Sequence, residues 1–149
     1  MTLHWKLVID SSDPHAQAAF WAEALGYLVE DNSELIDRLL GLGAAPEAAT
    51  LLVDGRRVWR DLIAVRHPDD PYEKESGMGL GRRLLFQRVP EAKTVKNRLH
   101  LDVHAGPDRR EAEVERLEQL GATELRRVAE PGGTWAVLAD PEGNEFCVQ

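Results

Sequence analysis

Cysteine is nearly absent. Cys147 is the only one in 149 residues, so no internal disulfide can form. Long apolar runs are missing too; none approaches the ~20 residues needed to span a bilayer. The stretch Met1-Thr2-Leu3-His4-Trp5-Lys6 lacks the charged start and apolar core of a signal peptide, so a cytoplasmic location is expected. Positive charge is in deficit: 18 Lys and Arg stand against 26 Asp and Glu, a formal net charge of −8. Such a chain repels phosphate backbones and anionic lipid, which argues against nucleic-acid and membrane-surface partners. The one basic cluster, Lys93 to Arg98, has no accompanying aromatic pattern for stacking bases.

What is present suffices for a globular domain. Apolar residues make up 43% and charged residues 30% of the chain. A chain of this size buries roughly 70% of its unfolded surface and needs neither disulfide nor structural metal to fold. A single domain spanning residues 1–149 is therefore expected.

The pattern along the chain repeats. Trp5 to Asp10 (WKLVID) reads as a strand. Ser12 or Asp13 with Pro14 starts a helix, whose apolar face carries Ala18, Trp21, Ala22 and Leu25. Gly26 stops it, and Tyr27 to Glu30 is the next strand. In the second half, Arg98 to His104 (RLHLDVH) is a strand and Gly106-Pro107-Asp108 starts a helix. Val114, Leu117 and Leu120 form its stripe, and Gly121 ends it. Thr123–Val128, Thr134–Ala139 and Asn144–Val148 follow as strands, with a tight turn at Asp140-Pro141-Glu142-Gly143-Asn144. Strand, helix, glycine and strands thus occur twice, in modules of about residues 1–92 and 97–149. Neither module can bury both faces of its sheet alone.

The middle is less regular. Ser33 to Leu42 predicts an extra helix with Ser33 as cap and Leu35, Ile36, Leu39 and Leu40 inward. Asp54-Gly55 predicts a hairpin between Thr50–Val53 and Arg57–Trp59. Arg60 to Val65 reads equally as helix or strand. His67 to Gly81 reads as a mobile loop, and Arg83 to Val89 as the last strand of the first module.

Three stretches carry a family resemblance: Asp13–Tyr27 (DPHAQAAFWAEALGY), Leu84–Val103 (LLFQRVPEAKTVKNRLHLDV) and Asp140–Val148 (DPEGNEFCV). Together they resemble the glyoxalase-like domains of the vicinal-oxygen-chelate superfamily. The resemblance implies an α+β fold: two βαβββ modules with pseudo-twofold symmetry, forming curved mixed sheets around a cavity. The extra helix and loop are then insertions in the first module. Metal-using members hold a divalent ion through four His, Gln or Glu ligands on the first and last strands of each module. Carried onto this chain, that pattern reaches His100, Gln87, Cys147, and Leu7 or Lys6, with Glu145 two residues from Cys147 on the same face. Neither Leu7 nor Lys6 can bind a metal here, so the set of His100 and Gln87 is incomplete and a site without metal is the favoured expectation.

His100 and Asp102 share one side of a strand, with Arg98 in phase. This row reads as an acid–base and anion-binding row, or as an ion pair holding a sheet face. Lys93, Lys96, Asn97 and Arg98 could steer an anionic substrate, but the favoured reading is a linker fixed by hydrogen bonds and by pairing with Glu91. Cys147, between Phe146 and Val148, is expected to fill core space rather than attack substrate. Trp21 is expected in the core, whereas Trp5 and Trp59 suit a pocket or interface. His15 is expected to be solvated, and His67 has no evident partner.

The function expected is a glyoxalase-like enzyme with lyase or isomerase chemistry beside a carbonyl. His100 and Asp102 would be catalytic; Trp5, Leu7, Gln87, Arg98, Glu145 and Cys147 would line the ligand site. The alternative is a non-catalytic small-molecule binding protein of the bleomycin-resistance type. A small-molecule ligand and a homodimer are the expected partners.

Overall fold

A computed structural model describes residues 1–149. The fold is α+β, and the chain divides into two compact units. The first contains Met1–Ala22 and Gly26–Pro90, the second Glu23–Leu25 and Glu91–Gln149. No helix is long and apolar enough to cross a membrane.

The first unit begins with β1 (Leu7–Ser11) and continues through α1 (Pro14–Leu25), most of which belongs to it. Asp13, not Ser12, caps α1: its Oδ1 accepts the Ala16 N–H at 3.1 Å, with Pro14 in the first turn. Gly26 closes the helix in the left-handed region at φ +67°, a conformation glycine adopts without steric cost. There follow β2 (Leu28–Val29), α2 (Ser33–Gly41), β3 (Thr50–Val53), β4 (Arg56–Trp59), β5 (Leu62–Arg66) and β6 (Arg83–Arg88). Four strands make one sheet in the order β1-β6-β5-β2, with β1 parallel to β6. β3 and β4 form the expected hairpin; both turn residues, Asp54 and Gly55, have positive φ.

Several expectations need correction. The first strand starts at Leu7 rather than Trp5, because pairing with β6 begins there, at Leu84, and Trp5 is 87% exposed. The undecided segment after Arg60 is a strand, since Leu62 to Arg66 pairs antiparallel with β6. Ser33 does not cap α2. It lies inside the helix, and its N–H and hydroxyl both donate to Asp31 Oδ1. Only Ile36 of the four expected inward residues of α2 is fully buried; Leu35, Leu39 and Leu40 are half-buried.

The stretch 67–81 is built rather than loose. Arg82 donates to the Asp70 carboxylate from its backbone and guanidinium, holding that carboxyl well below its usual range. Tyr72 pairs with Gly79. The Glu30 carboxylate, 1% exposed, accepts the Gly79 N–H at 2.7 Å and both Nε and Nη2 of Arg83 at 2.6 and 2.8 Å. One buried acid thus ties the segment after β2, the loop and the start of β6 together. Gly79 has to be glycine, because a Cβ there would stand 2.8 Å from the Arg66 Cβ.

The second unit holds β7 (Asp102–Val103), α3 (Arg110–Leu120), β8 (Thr123–Glu130), β9 (Gly133–Ala139) and β10 (Glu145–Val148). Its sheet runs β7-β10-β9-β8, with β7 parallel to β10: the same order of first, last, third and second strand as in the first unit. The strand expected over Arg98–His104 shrinks to two residues. Upstream, the Asn97 N–H is bonded to the Glu145 carboxylate instead of entering the ladder, and Leu99 is 78% exposed. One face of this sheet carries Ala136, Leu138, Phe146 and Val148, all at most 1% exposed. The same face carries Arg127, which bonds Glu111 on α3 at 2.7 Å, so this is the face the helix covers. Val114 and Leu117 complete that core, while Leu120, expected inward, is 37% exposed.

Replacing Glu30 by Ala leaves the Arg83 guanidinium, only 10% exposed, without its carboxylate. We expect a loss of about 3–5 kcal/mol, the usual cost of breaking a buried pair on one side, in urea denaturation.

Candidate functional site

Alternation along the strands assigns every residue of the second unit's sheet to a face. The parallel register sets Cys147 beside Asp102, and the antiparallel one sets Cys147 beside Val137. The helix-free face therefore carries His100 and Asp102 from the β7 chain segment, Glu145 and Cys147 from β10, and Gln149 just after it. Val137 and Trp135 follow on β9.

The site is assembled by the turn before β10. Asp140, 4% exposed, accepts the backbone N–H groups of Glu142 and Asn144 on one oxygen, at 3.0 and 2.9 Å. It also accepts the Asn144 side-chain amide. Gly143 supplies the left-handed residue at φ +88° that lets the turn close. The turn delivers Glu145 to Lys93 Nζ at 3.3 Å and to the Asn97 N–H at 3.0 Å, while Asn97 Nδ2 donates to Asn144 at 3.1 Å. The expected linker pairing of Lys93 with Glu91 is thus replaced by one with Glu145. Burial works to raise the Glu145 carboxyl, but the Asn97 N–H and Lys93 outweigh it and the net shift is downward. Glu145 is committed to holding the 93–97 segment in place.

His100, Asp102 and Cys147 converge. One ligand-type atom from each lies within 4.8 Å of the other two. His100 Nε2 is 3.4 Å from Asp102 Oδ1, and Asp102 Oδ2 accepts Gln149 Nε2 at 2.9 Å. His100 and Asp102 are exposed, whereas Cys147 is buried. Burial, and then the neighbouring Asp102 carboxylate, push the Cys147 thiol above its ordinary range; Arg126 and Lys96 pull weakly the other way. A thiol held protonated is a poor nucleophile, in keeping with its reading as a space-filler.

The donor set fits a metal of one class. An imidazole, a carboxylate and a thiol suit a borderline divalent ion such as zinc better than magnesium or calcium. In a four-coordinate site with bonds of about 2.0–2.3 Å, neighbouring donors stand about 3.3–3.8 Å apart, so a small contraction of the cluster would suffice. Asp102, read from sequence as an acid–base partner, is the third donor, in place of the Gln87 that the resemblance implied.

The remaining expected residues distribute as follows. Gln87 is exposed on the first unit's sheet, in register with Asp10. Leu7 pairs with Leu84, one residue out of phase with Gln87, so it lies on the opposite face with Ile9 and Phe86. The strand register makes Asp10, not Leu7, the residue that shares a face with Gln87. Trp5 is exposed ahead of β1, and Arg98 is exposed. Trp21 is buried as expected, and Trp59 is half-buried on β4. His15 is not solvated: it is half-buried and its Nε2 lies 2.9 Å from the Trp59 carbonyl. His67 does have partners, accepting the Asp69 N–H at 3.1 Å and meeting the Tyr27 ring edge-on at 5.2 Å.

Sequence reasoning missed Arg126. A β-bulge interrupts β8 between Glu124 and Arg126, leaving Leu125 as the extra residue and setting Arg126 opposite Val137. Asp102, Cys147, Val137 and Arg126 thus form one cross-strand row on the helix-free face.

The mixed α+β fold is that expected of the glyoxalase-like class. The glyoxalase-like domain family model matches residues 6–149, and the chain belongs to that family. Solved structures share the fold at low identity. A glyoxalase/bleomycin resistance protein/dioxygenase family enzyme from Burkholderia phytofirmans is 14% identical at TM-score 0.59, covering 96% of this chain and 94% of its own. The fosfomycin resistance protein FosX of Mesorhizobium loti is 9% identical at TM-score 0.61, with coverage of 100% and 91%. The bleomycin-binding protein of Streptomyces verticillus, solved with copper(II)-bleomycin, is 17% identical at TM-score 0.50, with coverage of 100% and 96%. No curated protein matches the chain in sequence.

In chelator-treated protein, the pH midpoint for Cys147 alkylation by iodoacetamide should lie above the ~8.5 of a free thiol. Asp102→Asn removes the adjacent charge and should move that midpoint down. A midpoint at or below the free-thiol value would contradict the assignment.

Proposed function

We propose that this chain is a glyoxalase-like small-molecule enzyme that moves a proton on the carbon next to a carbonyl, as a lyase or isomerase does. The helix-free face of the second sheet is its site. The observation that carries this reading is the His100–Asp102 pair. The imidazole lies 3.4 Å from one Asp102 oxygen, while Gln149 holds the other at 2.9 Å. A carboxylate fixed in this way orients the imidazole and stabilises it when it takes up a proton. His100 is the group that moves the proton, and Asp102 positions it. If His100, Asp102 and Cys147 instead held a borderline divalent ion, the imidazole would be a ligand and would not carry the proton. When bound, such an ion supplies polarisation of a carbonyl oxygen.

A sequestering role is the second reading, and one observation favours it. Beside the polar cluster, Val137 is buried and Trp135 and Val128 are half-buried, in register on the same face. Apolar and aromatic side chains next to a few polar groups are the ordinary lining of a small-molecule site, catalytic or not.

The two readings separate by solvent exchange. The protein is incubated in D2O with hydroxyacetone, lactaldehyde and dihydroxyacetone, and deuterium entry beside the carbonyl is followed by NMR. We expect incorporation above the buffer rate with at least one compound, falling at least ~100-fold in His100→Ala. A tryptophan-fluorescence change on binding that is lost in Trp135→Phe, without any exchange, would leave the sequestering reading in its place.

A further inference from the structure

We infer that Arg126 is a specificity-determining residue that selects substrates carrying an oxyanion, a carboxylate or phosphate, at the end remote from the reacting carbonyl. The inference rests on the site proposed above and adds the class of compound it takes.

The register carries the argument. Without the bulge, Leu125 would stand opposite Val137, and the arginine after it would point to the helix face. The extra residue shifts the phase by one. Arg126 then joins the row Asp102–Cys147–Val137 on the helix-free face, while Arg127 reaches α3. Bulges of this kind re-aim a side chain. Here the re-aimed side chain is a guanidinium in an apolar stretch of the face, facing Val137 and next but one to Val128.

The charge surroundings point the same way. Arg127 is bound to both Glu124 and Glu111, Arg116 to Glu113, and Arg110 lies 3.7 Å from Glu111. Arg126 has no carboxylate within 4.0 Å, in a chain where acids outnumber bases by 26 to 18, and it is exposed. A guanidinium presents a rigid fork of donors matched to two oxygens of a carboxylate or phosphate. Adjacent strands lie about 4.8 Å apart, so the Arg126 backbone is about 14 Å across the sheet from that of Asp102. Side chains leaning inward from both ends leave a span suited to a short chain with a carbonyl at one end and an anion at the other.

Two matched pairs of compounds test this by calorimetry. The first pair is 2-oxoglutarate and 2-oxovalerate, which differ in whether the far end is a carboxylate. The second is dihydroxyacetone phosphate and dihydroxyacetone, which differ in a phosphate. We expect the anionic member of one pair to bind about tenfold or more tightly than its partner, in line with a hydrogen-bonded charge pair. The pair that separates identifies the oxyanion. Arg126→Ala should abolish the difference and Arg126→Lys should keep part of it, with melting temperatures unchanged because the side chain is exposed. No separation in either pair, or a separation that survives in Arg126→Ala, overturns the inference. If the neutral compounds still exchange deuterium through His100, only the selectivity assignment fails. If no compound binds or exchanges, the proposed site fails with it.

Discussion

The site depends on one short contact, the parallel pairing of β7 with β10. Only Asp102 and Val103 are in strand register with Cys147 and Val148. Two further backbone bonds frame the pair, from the Cys147 N–H to the Leu101 carbonyl and from the Gln149 N–H to the Val103 carbonyl, both 2.9 Å. Residues 45 positions apart are fixed side by side by these few bonds. Parallel pairing needs a crossover, and α3 with β8 and β9 supplies it. The helix-covered face, with Phe146 and Leu138 fully buried, supplies the apolar burial that keeps so short a ladder formed.

The two sheet faces divide their work by chemistry. On the helix side, aliphatic and aromatic side chains fill the core, and charged residues occur only at the rim, paired with α3. On the helix-free side, an imidazole, a carboxylate, a thiol and a primary amide come together within a few residues. Polar groups can stay there because they bond one another and remain near water: His100 and Asp102 are about 40% exposed at the side chain. Glu145 performs a different task, since its oxygens are spent on Lys93 and Asn97.

Much of the fold was legible because period and punctuation agree. Asp13-Pro14 and Gly26 bracket α1 and Asp54-Gly55 marks the hairpin, because Asp13 caps through its side chain while Gly26, Asp54 and Gly55 take a positive φ that few residue types tolerate. His100 and Asp102 were legible from their i, i+2 spacing in a strand. Arg126 was not, since a bulge depends on pairing with β9 and leaves no mark in local composition. The ordered path of residues 67–81 was hidden for a related reason. A stretch rich in proline, glycine and charge reads as loose unless the distant acid that organises it, Glu30, is known to be buried beneath it. Leu7 was misplaced because a sequence match between modules cannot fix register to one residue, and one residue reverses the face.

The extra residue in β8 has a consequence for how such a protein can change. A β8 that closed the bulge with Leu125 kept in the ladder would turn Arg126 toward the helix and Arg127 toward the cluster in one step. The anchor of β8 to Glu111 on α3 would be exchanged at the same moment as the cation at the far end of the site. Ligand preference and helix docking are therefore geared together through a single backbone irregularity. Divergence at this edge of the sheet is channelled into side-chain replacement, because a shift in register disturbs both faces at once.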